Sequence, residues 1–290
     1  MIDPLPRLKP HPVPAIHPVP EHAADGRLAS VYTQTKNGLG VPWMGVVAMA
    51  FAHYPVFYSR LWSALEPIVG RACFAEACAA LRAEAEAQAA TFSPSPLGGR
   101  LTAMGYGEGE LTAIRACIEV FAAGNMPYIV MATLARGLLE GRPWTASGDP
   151  GTPLSPPAHP KPVLMESHHA TPETQALYDD IKTALGLPFV NTDYRALARW
   201  PSYFDVAWTG LRGCVTAAAY EPSVEAVHRR ADALSMALPN ASGVDPAALA
   251  DAAREDAPLH EVLDVVRLFQ WLLPGLAVNV AILQAQLAHT

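Results

Sequence analysis

The sequence predicts an all-α protein built from two tandem helical repeats, packed about a pseudo-twofold axis and joined by a proline-rich linker. Three observations predict it. Alanine is abundant and long alternating runs of β-branched residues are absent, which favours helix over sheet. Hydrophobic residues make up 51% of the 290 and charged residues only 16%, enough apolar material for a large core. Finally, residues 31–65 lie on residues 177–211 without a gap, at an offset of 146 (178 − 32). Tyr32 meets Tyr178, Lys36 meets Lys182, and Leu39-Gly40 meets Leu185-Gly186. Pro42, Ala50, Ala52, Pro55, Trp62 and Leu65 likewise meet Pro188, Ala196, Ala198, Pro201, Trp208 and Leu211. Composition alone gives about three identities in such a window, so the match is an internal repeat.

In chain order, residues 1–26 carry seven prolines, which fix φ and remove donors; they form an extended arm along the body of the protein. The first helical repeat is placed at 27–141. Its opening helix, 27–39, is stopped by Gly40 and Pro42. A very apolar helix follows at 43–53, and Pro55 opens the next, which carries Trp62. An amphipathic helix spans 73–90 with Arg82, Glu84 and Glu86 on its wet side. A Ser-Pro loop leads to a short helix near 98–104 and then to the turn Gly105-Tyr106-Gly107-Glu108-Gly109. Helix resumes at 110–121, and Gly124 and Pro127 are expected to break or kink it before 128–139. Residues 142–172 are the linker, with prolines at 143, 150, 153, 156, 157, 160 and 162. The second repeat, 173–290, restates the plan, and Phe269 aligns with Phe121 at an offset of 148.

Composition narrows the function. A net charge of −7 with no Lys/Arg cluster argues against nucleic acid. No uninterrupted apolar run approaches the roughly 18 residues of a membrane span, and the first residues lack a signal-peptide pattern. Cys73, Cys78, Cys117 and Cys214 form no C-x-x-C pair, so free thiols and a cytoplasmic location are expected. The linker-region histidines His159, His168 and His169 have no Cys or carboxylate at metal-ligand spacing, so no metal is expected.

The repeat is most informative where its copies disagree. Position 47 is Val and its partner is Asp193; Asn125 aligns with Leu273. An ionisable group in place of a core residue costs several kcal/mol unless something compensates. Asp193 is either a helix cap for the residues that follow or a working carboxylate, and the two roles are compatible. In a twofold arrangement Asn125 and Asp193 converge at the seam, close enough to hold one water between them, while Val47 and Leu273 leave the related place apolar. Nucleophile-elbow, P-loop, zinc-protease and dinucleotide-binding motifs are all absent.

Val41-Pro42-Trp43, Gly124-Asn125-x-x-Tyr128 and Asp193-x-x-Ala196-Leu197-Ala198-x-Trp200-Pro201 resemble the group I DL-2-haloacid dehalogenases, over about residues 27–287. The resemblance implies an all-helical, two-repeat enzyme in which Asp193 is the catalytic carboxylate and Asn125 the amide that helps hold the attacking water. It places Trp43, Gly45, Val46, Tyr128, Asn191 and Thr192 along the substrate pocket, with Val46 where the family has an aromatic and Phe269 where it has a tyrosine. The implied reaction converts short 2-haloalkanoic acids to 2-hydroxy acids, on both enantiomers and without cofactor, and a homodimer is expected. Two other readings stand beside it. One is a catalytically silent helical scaffold, with Asp193 as a cap and the seam as a ligand-binding or dimer surface; the other is a different small-acid enzyme on the same repeat. For Trp43 and Tyr128 the plain reading is core packing.

Overall fold

The computed structural model describes residues 4–288. It is all-α, with no strand among the described residues beyond one isolated bridge between Arg71 and Pro153. Helices α1 (Gly26–Leu39), α2 (Val46–Phe51), α3 (Pro55–Leu65), α4 (Ala72–Ala90), α5 (Gly98–Ala103) and α6 (Glu108–Leu139) occupy the first half. The second half holds α7 (Pro172–Leu185), α8 (Thr192–Leu197), α9 (Pro201–Val215), α10 (Tyr220–Ala237), α11 (Pro246–Asp256) and α12 (Leu259–Gln286). Six helices thus follow six in the same order. The starts of α1, α2 and α3 precede those of α7, α8 and α9 by 146 each (172 − 26, 192 − 46, 201 − 55).

Local chemistry sets the shared boundaries. Gly40 and Gly186 end α1 and α7 at φ 68° and 63°, a left-handed conformation that costs glycine nothing. Pro55 and Pro201 open α3 and α9, where a missing N–H would be unpaired anyway. The correspondence also reaches upstream of the aligned segments. The Tyr32 and Tyr178 hydroxyls donate to Val19 O and Met165 O at 2.7 and 2.8 Å. The amides of Val19 and Met165 donate in turn to Met49 O and Arg195 O.

Helices α6 and α12 pack against each other as the central pair. Residues 120–139 of α6 are buried except Ala123, and residues 268–283 of α12 are buried except Trp271, its partner at 148. Both helices are apolar and long enough to cross a bilayer, but 83% and 89% of their most apolar windows lie inside the protein, as core helices do. The helix does not break near Gly124: α6 is one helix from Glu108 to Leu139 with Pro127 inside, and α12 runs through Pro274. Close packing on every side over-determines the helical path, which outweighs the single hydrogen bond a proline removes.

Each proline-rich segment contacts both halves. Leu5 is buried, its amide donating to Asp232 of α10, and Lys9 donates to Gly186 O after α7. In the linker, Thr152 O and Pro150 O accept from the first amides of α4, and Leu154 N donates to Gly70 O at 2.8 Å. The first residues of the arm therefore lie on the second half and Val19 on the first, while the linker meets the first half at 150–154 and the second at Met165.

Candidate active site

The site forms where α2 and α8, both short, bring their first turns against the middle of α6 and α12. A cavity of about 40 Å³ opens there, room for about three waters at the ~10–15 Å³ each requires. Its lining is a set of repeat partners. Trp43 and Phe189, Gly45 and Asn191, Val46 and Thr192, and Val47 and Asp193 face it at offset 146; Asn125 and Leu273, and Tyr128 and Leu276, face it at offset 148. Phe269 completes the wall. All nine residues singled out from the sequence therefore line one cavity. The separate apolar place expected for Val47 and Leu273 does not exist, because partner positions converge on one space rather than on two. Phe189 and Leu276 were missed; their only sequence signal is being partners of Trp43 and Tyr128.

Asp193 sits in the first turn of α8 and does not cap it; Asn191 occupies the cap position in an extended conformation. α8 itself ends at Leu197. The Asp193 carboxylate instead crosses the seam: Asn125 Nδ2 donates to Asp193 Oδ1 at 2.8 Å, and both side chains are buried. This direct bond corrects the expectation of a water held between them, since 2.8 Å leaves no space for one. Asp193 Oδ2 and Asn125 Oδ1 have no side-chain donor among the described residues. Burial pushes the Asp193 carboxyl up from 3.8 to about 6, against the opposing pull of the Asn125 donor, the residue's own backbone N–H and the Arg195 charge.

The opposite wall is held by close contacts to glycine. Tyr128 OH accepts from Gly45 N at 2.8 Å and donates to Trp43 O at 3.1 Å, tying the start of α2 to α6. A Cβ on Gly45 would fall 2.7 Å from the Tyr128 ring, and one on Gly124 would fall 2.6 Å from the Trp43 indole. Trp43 packs edge-on to Phe121 with centroids 5.1 Å apart. Trp43 Nε1 and Asn191 Oδ1 are buried without a protein partner, polar atoms that a ligand in this cavity would satisfy. No lysine or arginine lines the cavity, and no cluster of three or more metal-ligating side chains occurs among the described residues.

Fold and site together define an all-helical protein with one buried carboxylate at the seam of its two halves. No family model matches the chain. It is 46% identical over 245 residues to the (R)-2-haloacid dehalogenase of Rhizobium sp. (strain NHG3), covering 83% of this chain and 94% of that protein. It is 38% identical over 273 residues to the (R)-2-haloacid dehalogenase of Pseudomonas putida, covering 91% and 90%. A solved D-2-haloacid dehalogenase in complex with L-LA superposes with TM-score 0.88 at 35% identity, over 98% of this chain and all (100%) of that one. The chain belongs to the 2-haloacid dehalogenase family.

Proposed function

We propose that this enzyme hydrolyses short 2-haloalkanoic acids to 2-hydroxy acids, with Asp193 as the general base. The observation that carries the reading is the Asp193–Asn125 pair, buried in a cavity with room for few waters and with a carboxyl pKa of about 6. At neutral pH such a group is mostly ionised, yet basic enough to take a proton. In the proposed reaction a water donates one proton to Asp193 while its oxygen attacks the substrate α-carbon. The carbon–halogen bond breaks on the opposite face, halide leaves, and the proton passes from Asp193 to solvent. Asn125 orients the carboxylate through Nδ2 and the water through Oδ1. Trp43 Nε1, Asn191 and Thr192 offer neutral partners to the substrate carboxylate and the departing halide. Trp43, Val46 and Phe269 shape the apolar wall, and Gly45 with Tyr128 fixes that wall in place. Positioning in so small a cavity supplies much of the remaining acceleration.

The stereochemistry is the finer question. The sequence resemblance was to enzymes that take both enantiomers. The two relatives at 46% and 38% identity are named for the R enantiomer. A configuration-inverting enzyme from Pseudomonas sp. (strain 113) is 27% identical over 202 residues. These names support an R preference, with one-step water attack giving an S product. A silent scaffold has nothing left in its favour. Single turnover of (R)-2-chloropropionate in H₂¹⁸O, with enzyme in excess, tests the reading. Label in the product hydroxyl with release of halide is expected, and slower turnover of the S acid. Unlabelled product in that first turnover would mean attack by the Asp193 carboxylate itself.

A further inference from the structure

A second cavity of about 90 Å³ lies behind the first, between the end of α7, the start of α10 and the middle of α12. Asn191 and Leu276 line both cavities, so two side chains form the wall between them. One of those two, Asn191, is the residue whose Oδ1 is buried without a partner. The chamber's cation is Arg7, from the proline-rich arm. Its side chain is only 6% exposed, and its Nε is buried and unpartnered. Its guanidinium lies over the Trp271 ring at 5.2 Å, and Nη1 meets Glu221 at 2.8 Å. Glu221 is 66% exposed, so it is a partner that water can replace. Neutral groups add to the lining, with Tyr220 OH donating to Asn279 Oδ1 and Asn279 Nδ2 donating to Tyr194 OH, both at 2.9 Å.

We propose that this chamber is a second binding site for small carboxylates, through which acids reach and leave the catalytic cavity. The reaction site holds no cationic side chain, yet the substrate class assigned above, on which this inference rests, is anionic. A buried guanidinium with a free N–H is a strong partner for a carboxylate. The first half has a related chamber, with Leu39, Phe74 and Pro127 at the places of Leu185, Tyr220 and Gly275, covered by the linker. That chamber shares no lining residue with the catalytic cavity. Contact with the reaction site is thus confined to one copy, as Asp193 is.

The test separates binding from turnover. Crystals of Asp193→Asn soaked in (R)-2-bromopropionate are expected to show a bromine anomalous peak beside Arg7, lost when Arg7→Gln is added. In otherwise unaltered enzyme, Arg7→Gln is expected to raise KM about tenfold, the worth of one charged hydrogen bond, with kcat within twofold. Glu221→Gln removes the competing carboxylate and is expected to lower KM, a direction that loss of a merely structural ion pair would not give. Absence of the peak beside Arg7, or KM unmoved by Glu221→Gln, overturns the proposal. Failure of the unaltered enzyme to turn over haloacid would instead overturn the function assigned above, and the bromine peak would still report on the chamber.

Discussion

Burying the Asp193 carboxylate between α8 and α6 sets both its chemistry and its cost. With a pKa of about 6, kcat/KM is expected to rise about tenfold per pH unit up to that value and level off above it. Asn125→Leu, which removes the donor that favours the carboxylate, is expected to move the midpoint upward as well as slow the reaction. Stability follows from the same shift. The folded pKa lies above the unfolded one, so the contribution of the protonated group is full below about 3.8 and is lost as pH climbs through about 6. At about 1.36 kcal/mol per pH unit the loss approaches 3 kcal/mol. Asp193→Asn is therefore expected to be inactive and to melt higher than the unaltered enzyme at pH 7.5, with the difference gone near pH 4. Equal melting at both pH values would show that the carboxylate is not strained by burial. The pair was legible in the sequence because each member interrupts an otherwise apolar repeat. The direct bond was not, since spacing along a chain carries no distances across a seam.

At the scale of elements, two glycines inside helices make a matched comparison. Helix propensity alone says that either one replaced by Ala gains about 1 kcal/mol. Gly213 in α9 has open space around it, and Gly213→Ala is expected to follow propensity. A methyl on Gly124 in α6 would strike the Trp43 indole, so Gly124→Ala is expected to lose about 1–3 kcal/mol to overpacking and to slow turnover by displacing the cavity wall. Denaturant melts of the two variants decide it; parallel stabilisation would mean that the Trp43 contact is loose. Helix positions were legible from glycine and proline punctuation, as Gly40, Pro55, Gly186 and Pro201 illustrate. The path through Pro127 was not, because local rules price the lost hydrogen bond but not the surrounding core.

For the whole molecule, the arm and the linker make each half depend on chain from outside it. Leu5 is 3% exposed, and its backbone partners Asp232 and His228 are buried in α10. Removing residues 1–9 exposes that site and leaves Asp232 one donor short. Burial of a leucine contributes about 1.5–3 kcal/mol, so the shortened chain is expected to lose about 3 kcal/mol in thermal unfolding. A melt unchanged within error would show the arm to be a passive tail. The sequence announced an extended arm through its seven prolines. It did not say which half the arm would cross, because docking is decided by α10 residues more than 200 positions away.

The convergence of repeat partners on one cavity bears on how an asymmetric catalyst arises. Two identical subunits meeting at such a seam would have to carry the same residue on both sides, either two carboxylates repelling each other or two valines with no base. Joining the copies in one chain releases them from that identity. Position 47 keeps an inert side chain while position 193 acquires a base, and position 125 gains an amide while position 273 stays greasy. The duplication supplied the chamber, and the covalent link allowed its two faces to be spelled differently.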